Sequence, residues 1–126
     1  MPVYQGTGMA EHIHTSEQKV LFANERIAVG VASKSLFFQK IRGNYYPPYI
    51  SFQLSYSGDP GTSQIDVQVS DVDVDSNYVT IMSLVNSDLN SSFVGRIELT
   101  NFCARYVRVK QVTLTNDVNI TVLATR

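Results

Sequence analysis

Hydrophobic and polar residues alternate with period two along much of the chain. Ile65, Val67 and Val69 alternate with Asp66, Gln68 and Ser70; Val107 and Val109 flank Arg108; Val118, Ile120 and Val122 alternate with Asn119 and Thr121. Successive side chains of a strand point to opposite faces, so each stretch is expected to have one buried and one wet face. The β-branched residues that fill the apolar positions suit such a surface. The pattern predicts eight strands, near Lys19–Ala23, Arg26–Ala32, Leu36–Lys40, Ile50–Tyr56, Ile65–Val72, Tyr78–Leu84, Phe93–Leu99 and Ala104–Leu114, and a closing strand at Val118–Ala124. Breakers separate them. Asn24-Glu25 reads as a tight turn, Gly43-Asn44 and Pro47-Pro48 punctuate an aromatic loop, and Ser57-Gly58-Asp59-Pro60-Gly61 is the strongest turn signal. Thr115-Asn116-Asp117 reads as a short hairpin connection. No stretch shows a helical stripe capped at both ends.

Short strands without intervening helices predict an all-β chain folded as an antiparallel two-sheet sandwich. The chain has no Trp and one cysteine, so the hallmarks of an immunoglobulin domain are missing and a jelly-roll-like arrangement is expected. Residues 1–18 carry weak periodicity, two glycines and both histidines. They are expected to form an extended N-terminal arm, with residues 19–126 as a single β-sandwich domain.

Composition narrows the functional classes. A length of 126 residues fits one domain with one core. Ten basic against eleven acidic residues leave a net charge of −1, so no nucleic-acid partner is expected. The charged share is 17%, below the roughly 25% usual for soluble domains, and Ser, Thr and Asn take its place. No apolar run reaches the roughly 18 residues of a membrane span, so no membrane partner is expected. Met1 to Gly6 lacks the basic and apolar regions of a secretory signal. Cys103, alone, excludes an internal disulfide and reads as a buried inert thiol.

Candidate chemistry is sparse. His12 and His14, two apart in an extended segment, share a face and could approach one transition metal only with a third ligand. Asp71, Asp73 and Asp75 have the oxygen chemistry of calcium, but Ser76 stands where an EF-hand loop needs Gly and Met82 where it needs Glu. On a straight strand these carboxylates diverge, so they are weak metal candidates and no metal or cofactor is expected. Six aspartates and no Lys or Arg lie between Asp59 and Asp88, whereas Arg96, Arg105, Arg108 and Lys110 follow. Such segregation would let an acidic strand lie beside a basic one. Tyr45, Tyr46 and Tyr49 on a Pro-stiffened loop would anchor an interface or stack on sugar rings. Catalytic motifs are missing, so no catalytic residue is assigned and no enzyme is expected.

Phe102-Cys103-Ala104-Arg105-Tyr106-Val107-Arg108-Val109 and Val118-Asn119-Ile120-Thr121-Val122-Leu123-Ala124-Thr125-Arg126 resemble the closing hairpin of small tailed-phage virion proteins. Size, arm and patterning resemble the capsid cement (decoration) proteins with a jelly-roll core. The resemblance implies a structural bacteriophage protein, a homotrimer on the outside of the capsid, with the major capsid protein as partner. It also implies a virion location, after synthesis in the host cytoplasm. His12, His14, Tyr45, Tyr46, Tyr49, Arg105 and Arg108 are then the expected interface residues. The alternative is a carbohydrate- or receptor-binding β-sandwich module of a phage tail or fibre.

Overall fold

The computed structural model describes residues 10–14, 16–38, 49–100 and 104–126. Among them run nine strands: β1 (Glu11–His12), β2 (Gln18–Glu25), β3 (Leu36–Phe37), β4 (Tyr49–Tyr56), β5 (Ser63–Ser70), β6 (Val79–Val85), β7 (Val94–Thr100), β8 (Tyr106–Leu114) and β9 (Ile120–Thr125). Two single turns of 3-10 helix, Asp75–Asn77 and Asn86–Asp88, follow β5 and β6. The first sheet has the order β1-β3-β8-β5-β6 and the second β2-β9-β4-β7.

The pairing is nested. β5 pairs with β6, β4 with β7, β3 with β8 and β2 with β9, all antiparallel. One long hairpin whose tip is the 71–78 connection, rolled so that successive pairs change sheets, produces this order. It is the jelly roll. β1 adds to the first sheet parallel to β3.

Alternation explains the core. Ile50, Phe52, Leu54 and Tyr56 of β4, and Ile120, Val122 and Ala124 of β9, face Ile65 and Val67 of β5 and Val107 and Val109 of β8. Each fully buried aliphatic or aromatic side chain contributes roughly 1.5–3 kcal/mol relative to exposure. Gly95 on β7 keeps the edge closed, because a Cβ there would lie 2.9 Å from Leu89 and 3.0 Å from Leu84.

Three departures from the sequence reading have physical causes. Arg26–Ala32 is not a strand; only Ala32 makes an isolated bridge, to Lys110. The backbone turns at Gly30, φ 89°, and bonds to β8 only from there on: Gly30 N–H donates to the Gln111 carbonyl at 2.7 Å and Ser33 N–H to the Val109 carbonyl at 2.8 Å. Asn24 sits at φ 49° beside a register shift between Phe22 and Glu25, so it forms a bulge in β2 and not a hairpin turn. The stretch expected to be an arm also enters the body from residue 10. Ile13 is buried in the core, the Arg126 guanidinium donates to its carbonyl at 2.6 Å, and Ser16 N–H donates to the Arg126 carbonyl at 2.7 Å. Residues 1–9 lie outside the described residues.

The larger surprise is on β5 and β8. Their outward residues Asp66, Gln68, Ser70 and Arg108 are buried as thoroughly as many core residues. The 71–78 connection folds back over Arg108 on this face of the first sheet, and Gln64, Thr80 and Ser83 close around Asp66.

Candidate interaction surface

Arg108 is the centre of the covered face. Its side chain is 2% exposed. Its Nε donates to Gln68 Oε1 at 2.9 Å, its Nη2 meets Asp75 Oδ1 at 2.8 Å, and the Tyr78 ring lies over the guanidinium at 3.9 Å. A planar, delocalised cation can make all three contacts at once. The Ser35 and Tyr78 hydroxyls converge on Asp73 Oδ1, at 3.0 and 2.7 Å, and lie 2.5 Å from each other. These bonds strap the connection to β3 and β8. Burial pushes the Tyr78 phenol well above its ordinary range, opposed by the Ser35 hydrogen bond and reinforced by Asp73.

The acidic and basic stretches do lie side by side, within one chain: β5 pairs with β8, placing Asp66 opposite Lys110 and Gln68 opposite Arg108. Asp66 nevertheless takes its bonds elsewhere, accepting from Gln64, Ser83 and Thr80 at 2.8, 2.6 and 3.1 Å. Arg108 reaches past its neighbour to Asp75. The three aspartates considered for calcium are parted by these partners. Asp73 holds the two hydroxyls, Asp75 holds Arg108, and Asp71 is exposed. Among the described residues no group of three or more His, Cys, Asp or Glu is placed to hold a metal.

A second cluster lies beside the strap, across β1, β3 and β8. Register puts His12 opposite Phe37 and Phe37 opposite Tyr106. The rings form a row, with centroids 4.9 and 5.2 Å apart. His14 stands edge-on to His12 at 6.0 Å, and the Arg105 guanidinium lies 5.5 Å above the Phe37 ring. The fold therefore gathers His12, His14 and Arg105 on one surface. Arg108 lies in the strap next to it, buried and engaged. Tyr49 is half exposed at the start of β4; Tyr45, Tyr46 and Cys103 lie outside the described residues.

Sequence reasoning missed Phe37, Tyr78 and Ser35. Alternation does place Tyr106 and Arg108 on one face of β8. Nothing local marks Tyr78 as the lid of Arg108, because the contact crosses the hairpin tip. At the β1 edge, Glu11 receives Lys34 Nζ at 2.6 Å and Lys19 Nζ at 3.5 Å. The Lys34 hydrogen bond is the main cause holding the Glu11 carboxyl below its usual range.

At the opposite end of the sandwich an open cleft of about 350 Å³ lies between Arg26–Val29 and Leu114–Asp117. Arg26 and Asp117 pair across it at 2.8 Å with both side chains about 70% exposed, 68% and 70%. A pair so well hydrated adds little binding energy.

No protein-family model and no curated protein matches the sequence. Among solved structures the chain is similar to the crystal structure of the SPBc2 prophage-derived protein YomS. The match has a TM-score of 0.51 and 11% identity, and it covers 90% of this chain and 97% of that one. At this identity the likeness concerns the fold: the jelly roll spans both chains nearly end to end.

Proposed function

We propose that this chain is a structural protein of a bacteriophage particle, and that it sits on the outside of the capsid as a cement (decoration) protein. The observation that carries the reading is the jelly roll shared, over nearly the full length of both chains, with a prophage-derived protein. The surface supports it. The outer face of the second sheet carries Ser51, Gln53, Ser55, Thr121 and Thr125, a hydroxyl- and amide-rich surface that also holds the exposed ion pair Arg96–Glu98. Such a surface packs against protein without desolvating many charges.

Cement of this kind works by mass action. A protein that binds the assembled shell and not its separated subunits shifts the equilibrium toward the shell. Many copies on one particle multiply that shift. A homotrimer would seat on three-fold joints of the major capsid protein, with the surface of His12, His14 and Arg105 as contact and residues 1–9 reaching a neighbour.

The test is co-sedimentation of the purified chain with expanded phage shells, followed by thermal rupture of the shells. Saturable binding and a raised rupture temperature are expected, with attachment weakened by Arg105→Glu. Removing residues 1–9 is the proper truncation, since Ile13 belongs to the core. Shells left bare and unstabilised overturn the cement role. Glycan binding lost in Tyr49→Ala would move the reading to carbohydrate recognition on a tail or fibre.

A further inference from the structure

β6 ends the first sheet, so among the described residues no strand pairs with the far side of its backbone. Edges of this kind template pairing with another chain unless they are blunted. β6 reads Val79-Thr80-Ile81-Met82-Ser83-Leu84-Val85 and holds no Lys, no Pro and no charge of any kind. One blunting device is present, a bulge opposite Val67 and Gln68. Around this edge lies the main group of exposed apolar side chains. Val79 is 62% exposed, and Ile81 and Met82 41% each. These three side chains give the edge an apolar strip of the sort that marks interaction sites; Val72 and Val74, also exposed, belong to the strap that crosses toward β8 and β3.

The surroundings are acidic. β6 lies inside the run that has six aspartates and no Lys or Arg, with exposed Asp71 before it and exposed Asp88 after it. Asp73 and Asp75 are engaged in the strap, by the Ser35 and Tyr78 hydroxyls and by Arg108. A second copy is a poor occupant, because a two-fold pairing of β6 with itself would bring the 71–75 end of one copy to the Asp88 end of the other. The complementary occupant is an extended segment with alternating apolar side chains and Lys or Arg at its ends.

We propose that β6 is a docking edge that captures such a basic-flanked strand from a partner protein by extending the first sheet. Backbone hydrogen bonds would supply affinity, the apolar strip would supply register, and the aspartates would select the flanks. This surface is separate from the one around His12 and Arg105, so it stands or falls independently of the capsid reading.

The experiment uses the full chain and two labelled peptides, Lys-Lys-Thr-Val-Thr-Val-Thr-Val-Lys-Lys and the same core flanked by Glu, read by fluorescence anisotropy and hydrogen exchange. The basic peptide should bind at least about tenfold more tightly than the acidic one, and added salt should narrow the gap. Amides of residues 79–85 should gain protection on binding. Val79→Lys and Ile81→Lys, both at exposed positions and checked for fold by circular dichroism, should each weaken binding about tenfold. Equal affinity for the two peptides, indifference to both variants, or protection appearing elsewhere overturns the proposal. So does a concentration-dependent dimer that Ile81→Lys dissolves, because the edge then belongs to a second copy.

Discussion

The outer faces of the two sheets began from the same kind of sequence and ended in opposite states. On the second sheet, Ser51, Gln53, Arg96 and Glu98 point outward and remain wet or partly wet, as alternation requires. On the first, Asp66, Gln68 and Arg108 occupy equivalent outward positions, yet all three are buried. The difference has two parts: the 71–78 connection crosses the first sheet over Arg108, and the side chains of Gln64, Thr80 and Ser83 close around Asp66. Once covered, polar side chains must be bonded or they destabilise the fold. Hence Asp66 accepts three hydrogen bonds and Arg108 is held by Gln68, Asp75 and Tyr78. A strand's wet face is therefore a default that a returning loop can cancel, at the cost of demanding partners for every polar group it covers.

The comparison can be broken at its centre first. Arg108→Ala removes the cation, leaves a gap beneath Tyr78 and strands Gln68, so urea denaturation should show a loss of about 3 kcal/mol. Arg108→Met should cost clearly less, because it refills that volume and removes Nη1, which is buried without a partner. Equal losses for the two variants would mean that charge and not packing holds the strap.

Tyr78→Phe keeps the ring over the guanidinium and removes the hydroxyl shared with Asp73 and Ser35. A loss of about 1–2 kcal/mol is expected from the same measurement. A stabilising outcome would show that the hydroxyl cluster is a burden on the strap.

The same residue sets an alkaline limit. The Tyr78 phenol is raised above its ordinary value, chiefly by burial, and Tyr56 is raised for the same reason. Folding thus favours the protonated form of both. Their contribution is complete below the free-tyrosine range near pH ~10 and is lost as pH rises through the folded-state values. The denaturation midpoint should fall above about pH 10, and less steeply in Tyr78→Phe. A flat midpoint between about pH 9 and 11.5 would contradict the burial of these phenols.

The smallest effect belongs to the open face. Arg96→Ala breaks the Arg96–Glu98 pair, whose side chains are 58% and 64% exposed, and should change stability by less than about 0.5 kcal/mol. A loss comparable to that of Arg108→Ala would erase the contrast between the two faces.

Local pattern carried the fold a long way. Strands at Ile50–Tyr56, Ile65–Val72, Tyr78–Leu84 and Phe93–Leu99 match β4 to β7 within two residues at each end, because alternation and turn residues are properties of neighbours in the chain. It failed at Arg26–Ala32, where Ile27, Val29 and Val31 alternate with small residues but Gly30 turns the backbone, and at Glu11–His12, where two residues pair only because β3 is there to receive them. Of the expected contact residues, His12, His14 and Arg105 come together through a register across three strands that no local signal encodes. Arg108 was singled out for its charge and proves to hold the strap.

The order of apolar and polar residues determined, without reference to anything distant, that the chain would form pleated sheets with a greasy side each, and that two such sheets would close on one another. Which strands became neighbours, which edge stayed open, and which wet face was roofed over were decided only when the hairpin rolled up. Those outcomes depend on contacts between residues far apart in sequence, whose free energy is realised only when the whole sandwich is in place.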